Sequence, residues 1–98
     1  MKITRNRNGS ALELAPEGRL DTVTAPELET ALKEELDGVT ELTMNFEKLD
    51  YISSAGLRVL LWAHMSMSPK GGMKVTHVSE IVQEVFDVTG FADILTIE

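Results

Sequence analysis

Apolar positions alternate over short stretches and recur every three or four residues elsewhere, which predicts strands and helices taking turns along the chain. A weak strand is predicted over Met1–Arg7 and a half-buried strand over Ala11–Ala15. Asn8-Gly9 between them is a frequent turn sequence of β-hairpins. Later stretches of the same kind predict three further strands, over Glu41–Phe46, Met73–Val78 and Ile94–Ile97.

The first predicted helix follows Thr24, where Glu27 stands three residues later as in a capping box. Gly38 is expected to end it as the C′ residue. The second helix starts near Ser53 or Ser54 and breaks at residues 69–72. The apolar stripes predicted for these two helices are Ala25, Leu28, Leu32 and Leu36 for the first, and Leu57, Leu60, Leu61, His64 and Met65 for the second.

The third predicted helix begins after Ser79 as its N-cap and ends at Gly90. Its expected apolar stripe consists of Ile81, Val82, Val85 and Phe86. The resulting order, β-β-α-β-α-β-α-β, predicts one α/β domain over residues 1–98. A small mixed sheet is expected, with an opening hairpin, then mainly parallel strands, and helices packed against it.

Function in an open α/β sheet is expected in the loops that follow the carboxyl ends of strands. Two segments of this chain run from a strand into a helix, Gly18–Thr24 and Phe46–Ser54. We expect the two segments to lie side by side.

Composition and charge narrow the classes of function. The 98-residue chain has a formal net charge of −7, which repels phosphate backbones and argues against nucleic-acid binding. The charge suits either a basic protein partner or a plain solvated surface. Without cysteines there is no disulfide or thiolate metal site, and the start of the chain lacks a signal peptide. A cytoplasmic protein is therefore expected. No apolar run approaches the roughly 20 residues of a membrane span, and no apolar stripe is left over beyond those needed for the core, so a monomer without membrane insertion is expected.

The side chains of this sequence do not favour a catalytic function. A serine nucleophile needs a nearby base and a strained Gly-x-Ser-x-Gly turn, which is absent. His64 lies about 15 Å from Ser54 by helical rise, and His77 sits near a strand end. No clustered metal ligands and no phosphate-binding loop are recognisable, so no metal and no cofactor are expected.

The informative feature is the pair Ser53-Ser54 at the start of the second helix. Backbone N–H groups there lack intrahelical partners and the helix dipole is positive, so a phosphate is tolerated. Serines are equally common as simple N-caps. The residues alone leave both interpretations open.

Two stretches, over residues 18–25 and 49–57, carry a resemblance to a known family, the STAS domain family. Gly18-Arg-Leu-Asp-Thr-Val-Thr-Ala25 resembles its Gly-x-Leu-Asp-x-x-Thr-Ala element. Leu49-Asp-Tyr-Ile-Ser-Ser-Ala-Gly-Leu57 resembles its second element, an apolar pair followed by Asp-Ser-(Ser/Thr/Ala)-Gly-Leu. Both occur in the family's order, and the resemblance extends along essentially the whole chain. Within the family, the bacterial anti-sigma factor antagonists are the most similar group.

This resemblance implies a phosphorylation switch. The unphosphorylated antagonist binds an anti-sigma factor that is also a serine kinase, with a histidine-kinase-like ATPase fold, and frees a sigma factor. Phosphorylation ends binding, and a PP2C-type phosphatase resets the switch. The phosphorylated serine lies two places before the motif glycine, which implies Ser54, with Ser53 as second choice. The implied partner-binding residues are Asp21, Thr22, Ser53, Ser54, Gly56, Leu57 and Arg58.

Three positions depart from the family pattern. Ser53 stands where the motif usually has Asp, Arg19 where sporulation and stress-response members are often acidic, and Asn45 where the central strand often ends with Asp. These departures suggest a different partner. The alternative implied by the family is a phosphorylation-independent STAS scaffold subunit in a signalling or lipid-transport complex.

Overall fold

The computed structural model describes residues 1–98. Its strands are β1 Ile3–Asn8, β2 Ala11–Pro16, β3 Gly18–Leu20, β4 Glu41–Asn45, β5 Leu49–Ile52, β6 Met73–Thr76 and β7 Thr96–Ile97. Its helices are α1 Ala25–Glu35, α2 Ser54–Met67 and α3 Glu80–Thr89, followed by a 3-10 helix over Phe91–Asp93. None of these helices combines the length and the apolar character that crossing a membrane requires.

The main sheet has the strand order β1-β2-β4-β6-β7, with β1 antiparallel to β2 and all other neighbours parallel. The predicted α/β fold with an opening hairpin and a mixed sheet is therefore confirmed. β3 and β5 pair in parallel as a separate two-stranded sheet. Both segments are predicted as loops from the sequence, because strands of three and four residues are too short for a clear alternation.

Alternation along the main sheet explains how the core forms. On the central strands every second side chain is buried, and these residues join one core cluster: Leu12, Leu14, Leu42, Met44, Met73 and Val75. The side chains between them point to the opposite face, where Glu13 is aligned with Thr43 and Thr43 with Lys74. One face of the sheet thus carries the core, and the other is polar.

The opening hairpin differs from its prediction by one residue. Asn8 pairs with Ala11, so the two-residue loop is Gly9-Ser10 and Asn8 still belongs to β1. Gly9 takes a φ of +64°, a backbone conformation that glycine adopts without steric strain.

The apolar stripe of α1 is confirmed, but its capping box is wrong. Thr24 has helical backbone angles, and its side chain makes no cap hydrogen bond to the helix. Glu27 instead accepts a hydrogen bond of 2.8 Å from the amino group of Met1. The helix also ends earlier than expected, at Glu35, so that Gly38 lies beyond the C-cap rather than at C′.

The predicted stripe of α2 is correct only in part. The buried residues of this helix are Gly56, Leu57, Val59, Leu60, Ala63 and Met67. Leu61 and His64 are half-buried and Met65 is 65% exposed. The predicted apolar stripe lies about one residue further around the helix than the buried face. α2 has apolar residues on most of its circumference, and periodicity alone does not select the buried side.

α3 follows its prediction at both ends. Ser79 Oγ accepts the Val82 N–H at 3.3 Å, and Gly90 ends the helix with a φ of +82°. Val82 and Phe86 are buried as expected, whereas Ile81 is 59% exposed. The strands flanking α3 are shorter than predicted: β6 ends at Thr76, and β7 covers only two residues.

Candidate functional site

The small sheet brings the two sequence motifs together. β3 belongs to the first motif and β5 to the second, and their parallel pairing sets Arg19 opposite Tyr51 and Leu20 opposite Ile52. The contact continues past the strands, because the Ser53 N–H donates to the Leu20 carbonyl at 2.9 Å. The expectation that residues 18–24 and 46–54 lie side by side is confirmed.

Ser53 and Ser54 lie at the N-terminus of α2. Ser53 is the N-cap residue, with extended angles of φ −102° and ψ 177°, and Ser54 is the first helical residue. Ser54 is exposed, whereas the Ser53 Oγ is buried and has no hydrogen-bond partner. Since neither serine makes a side-chain cap bond, the first N–H groups of α2 are free of a side-chain acceptor. Ser53 thus occupies the cap position without providing the expected side-chain cap.

Gly56 allows α2 to approach the small sheet. A Cβ at this position would lie 2.7 Å from Leu20 Cγ and 2.9 Å from Ile52 Cγ1, closer than carbon atoms pack. Gly56 and the neighbouring Leu57 are both buried. These two residues pack into the core, while Ser54 and Arg58 are exposed on the same helix, one turn apart.

Asp21 organises the turn between β3 and α1. Its Oδ1 accepts the Val23 N–H at 3.0 Å and the Thr24 N–H at 3.1 Å. Thr24 Oγ1 donates to the Arg19 carbonyl at 2.6 Å and accepts the Asp21 N–H at 2.9 Å. The hydrogen bond from the Thr24 N–H, together with that from Val23, lowers the pKa of Asp21 below its ordinary value. Thr22, within this turn, is exposed.

Arg19 and Tyr51 form a contact that the sequence analysis missed. The guanidinium carbon of Arg19 lies 4.1 Å from the centre of the Tyr51 ring, and Arg19 Nε lies 3.9 Å from Asp21 Oδ2. A cation stacked on a ring in this way gains about 0.5–1 kcal/mol at an exposed position. The local sequence carries no signal for this contact, because it depends on the pairing of β3 with β5, whose register shifts between Gly18 and Arg19.

The chemistry of the site is that of an exposed surface. Ser54 offers a hydroxyl at the positive end of a helix dipole, and Asp21 offers a carboxylate that is already ionised and hydrogen-bonded. No group of three or more His, Cys, Asp or Glu side chains is arranged to hold a metal ion. A surface cavity of about 740 Å³ lies over the polar side of the main sheet and is lined by none of these site residues.

A family profile described as the STAS domain matches residues 2–98. The chain therefore belongs to the STAS domain family.

Two curated relatives extend this result. BtrV of Bordetella bronchiseptica, named as a candidate anti-sigma factor antagonist, is 33% identical over 99% of this chain and 85% of its own length. The anti-sigma-B factor antagonist of Bacillus subtilis is 28% identical over 97% of this chain and 86% of its own length.

Solved structures share the fold. An anti-sigma factor antagonist from Mycobacterium paratuberculosis superposes with a TM-score of 0.88 at 20% identity, covering 98% of this chain and 83% of its own. Unphosphorylated SpoIIAA, another anti-sigma factor antagonist, superposes with a TM-score of 0.84 at 18% identity, covering 99% and 88%. At these identities the likeness concerns the fold.

Proposed function

We propose that this protein is an anti-sigma factor antagonist controlled by phosphorylation of Ser54. In its unphosphorylated form it binds an anti-sigma factor that is also a serine kinase, and this binding releases a sigma factor. Its role is regulatory binding, carried by a single cytoplasmic STAS domain over residues 1–98. The names of its curated relatives support the antagonist role.

The observation that carries the proposal is the difference in exposure between two adjacent serines. Ser54 is exposed on the first turn of α2, whereas the Ser53 hydroxyl is buried. A kinase needs access to the hydroxyl oxygen, which only Ser54 offers. The spacing to Gly56 in the family motif selects the same serine.

A phosphate on Ser54 is tolerated by the fold but opposes binding. Phosphorylation adds about 1.5 to 2 negative charges, and the free N–H groups of α2 accommodate them locally. In a close interface around Asp21, Ser54 and Arg58, the same group adds bulk and charge against the partner. A hundredfold weaker affinity needs only about 2.7 kcal/mol, so no rearrangement of the domain is required.

Two partners follow from this scheme. The kinase has a histidine-kinase-like ATPase fold and both binds and modifies this chain. A PP2C-type phosphatase removes the phosphate and restores binding. Asp21, Thr22 and Arg58 are the exposed or half-buried side chains around Ser54 that we propose to contact the kinase, with Ser53, Gly56 and Leu57 shaping the surface beneath.

The test combines phosphorylation and binding. Incubation with the cognate kinase and ATP is expected to add the mass of one phosphate to the wild type and to Ser53→Ala, but not to Ser54→Ala. Ser54→Asp is expected to weaken kinase binding about a hundredfold, measured by calorimetry, with its unfolding midpoint unchanged.

Ser54→Asn is the matched control, because it has nearly the size of aspartate without its charge. Retained binding by Ser54→Asn together with loss by Ser54→Asp supports exclusion by charge. Phosphate on neither serine, with unaltered binding by Ser54→Asp, would instead point to the phosphorylation-independent scaffold.

A further inference from the structure

The guanidinium group of Arg19 is held in place yet donates no hydrogen bond within the chain. Its side chain is 63% exposed, and its nearest anionic atom, Asp21 Oδ2, lies 3.9 Å from Nε, beyond hydrogen-bond distance. The Tyr51 ring supports one face of the group at 4.1 Å. None of its five N–H donors is used within the chain, while one face of the group is stacked on the ring.

The backbone beneath this side chain is equally constrained. Arg19 pairs with Tyr51 in the small sheet, and its carbonyl accepts the Thr24 hydroxyl at 2.6 Å. Ordering a free arginine on binding costs side-chain conformational entropy. Because strand pairing and ring stacking already restrict Arg19, much of that ordering precedes any encounter with a ligand.

Arginines with a purely structural role look different in this molecule. Arg7 donates to three backbone carbonyls, those of Gly9, Glu35 and Asp37, at 3.0–3.1 Å. Arg5 donates to the carboxylates of two α1 residues, at 2.9 and 3.2 Å. Both use their donors inside the chain, whereas Arg19 and Arg58 face outward. Of these two, only Arg19 is stacked on an aromatic ring.

We propose that Arg19, positioned by Tyr51, is a specificity-determining residue that binds a carboxylate on the surface of the partner kinase. The inference rests on the proposed function and names one contact of that interface. A planar guanidinium matches a carboxylate through two parallel hydrogen bonds, a geometry that lysine does not reproduce.

Its place in the fold links this contact to the switch. The residue after Arg19, Leu20, accepts the Ser53 N–H, so β3 reaches the backbone directly before Ser54. A partner carboxylate that sits on Arg19 therefore approaches the same end of α2. Phosphate on Ser54 adds negative charge to the same binding surface and therefore repels that carboxylate.

The test measures binding of the unphosphorylated chain to the cognate kinase by calorimetry. Arg19→Glu is expected to weaken binding at least about tenfold, because the new charge repels the partner carboxylate. Arg19→Lys is expected to bind more tightly than Arg19→Glu but more weakly than the wild type. The loss in Arg19→Glu is expected to shrink as salt rises.

Lys70→Glu is the matched control, since it makes the same change of net charge in the exposed turn after α2. It is expected to bind as the wild type does. Tyr51→Leu is expected to lose affinity for the kinase without any change of charge. Tyr51→Phe is expected to retain more affinity, because the aromatic ring of Tyr51, and not its hydroxyl, stacks on Arg19. Equal binding by Arg19→Glu and Lys70→Glu would overturn the inference.

A charge-reversal scan identifies the partner group. Each surface Asp or Glu of the kinase is replaced by Arg and tested against Arg19→Glu, and one replacement is expected to restore binding. If no replacement restores binding, the carboxylate assignment is overturned. It is also overturned if Arg19→Glu binds the kinase normally and changes only the rate of dephosphorylation, because phosphoserine would then be the ligand.

If Ser54→Asp weakens binding while every Arg19 variant binds normally, this inference fails and the proposed function stands. If the wild type does not bind the kinase, both fail.

Discussion

The edge strand β1 of the main sheet and the strand β3 of the small sheet both carry arginines, and the two strands use them differently. On β1, Arg5 and Arg7 reach the end of α1 and donate to its carboxylates and carbonyls. On β3, Arg19 lies on an aromatic ring and faces solvent. The comparison separates side chains that link elements of the domain from a side chain whose hydrogen-bond donors stay unused within the chain, although both groups are exposed.

A similar contrast exists between Asp21 and Ser54. Asp21 uses one carboxylate oxygen to hold its own turn, while the Ser54 hydroxyl has no partner within the chain. Stabilising contacts and unpaired polar groups therefore lie within a few residues of each other in the small sheet. A rigid support carrying unpaired donors and acceptors is the arrangement expected of a recognition surface.

The largest effect on the fold is expected where the small sheet meets α2. Gly56→Ala places a Cβ within 3 Å of Leu20 and Ile52, which we expect to lower the free energy of unfolding by about 1–3 kcal/mol. Urea denaturation measures the loss. Ser68→Ala, on the exposed C-cap of the same helix, is the control and is expected to lie within about 0.5 kcal/mol of the wild type.

A smaller effect tests the two arginine roles directly. Arg7→Ala is expected to lower the free energy of unfolding by about 1 kcal/mol, because three backbone carbonyls lose their donor. Arg19→Ala is expected to lower it by only about 0.5 kcal/mol, the low end of the range for an exposed cation–π contact. Denaturation of both variants under one set of conditions gives the comparison. Equal losses would mean that Arg19 is as structural as Arg7.

The smallest effect concerns the pH dependence of stability. Hydrogen bonds from the Thr24 and Val23 N–H groups lower the pKa of folded Asp21. Its ionised form therefore contributes stability that is present above the ordinary value of 3.8 and is lost as the pH falls through the folded pKa. Asp21→Asn is expected to be less stable than the wild type near pH 7, with the gap closing below about pH 3.8.

Thermal unfolding from pH 7 to pH 2.5 measures this gap. Asp50→Asn, an exposed position on β5, controls for the loss of one negative charge. A gap between wild type and Asp21→Asn that stays constant over the whole range would contradict the assigned role of Asp21.

Much of the fold was predictable because the main strands and helices carry their periodicity locally. β2 and β4 alternate cleanly, and Ser79 and Gly90 bound α3 as their residue types indicate. The capping box at Thr24 failed because the threonine hydroxyl is engaged with Arg19 and Asp21 instead. A local signal was outcompeted by hydrogen bonds within the preceding turn.

Residues of the candidate site were predictable only where they belong to one of the two family motifs. The motifs drew attention to Asp21 and Ser54, and no local pattern indicated that Tyr51 supports Arg19. The buried state of the Ser53 hydroxyl was equally out of reach, since it depends on how closely α2 approaches β3. Burial and stacking arise between segments about thirty residues apart, and periodicity within one segment does not report them.

The amino-acid sequence by itself determined the α/β class, the mixed sheet, the two STAS motifs and the choice between a few candidate side chains. Only the tertiary structure decided that the motifs meet as β3 and β5, that Ser54 rather than Ser53 is accessible, and that Arg19 faces outward on Tyr51. The physical reason is that hydrophobic periodicity is a property of one element, whereas register, burial and stacking belong to pairs of elements brought together by folding.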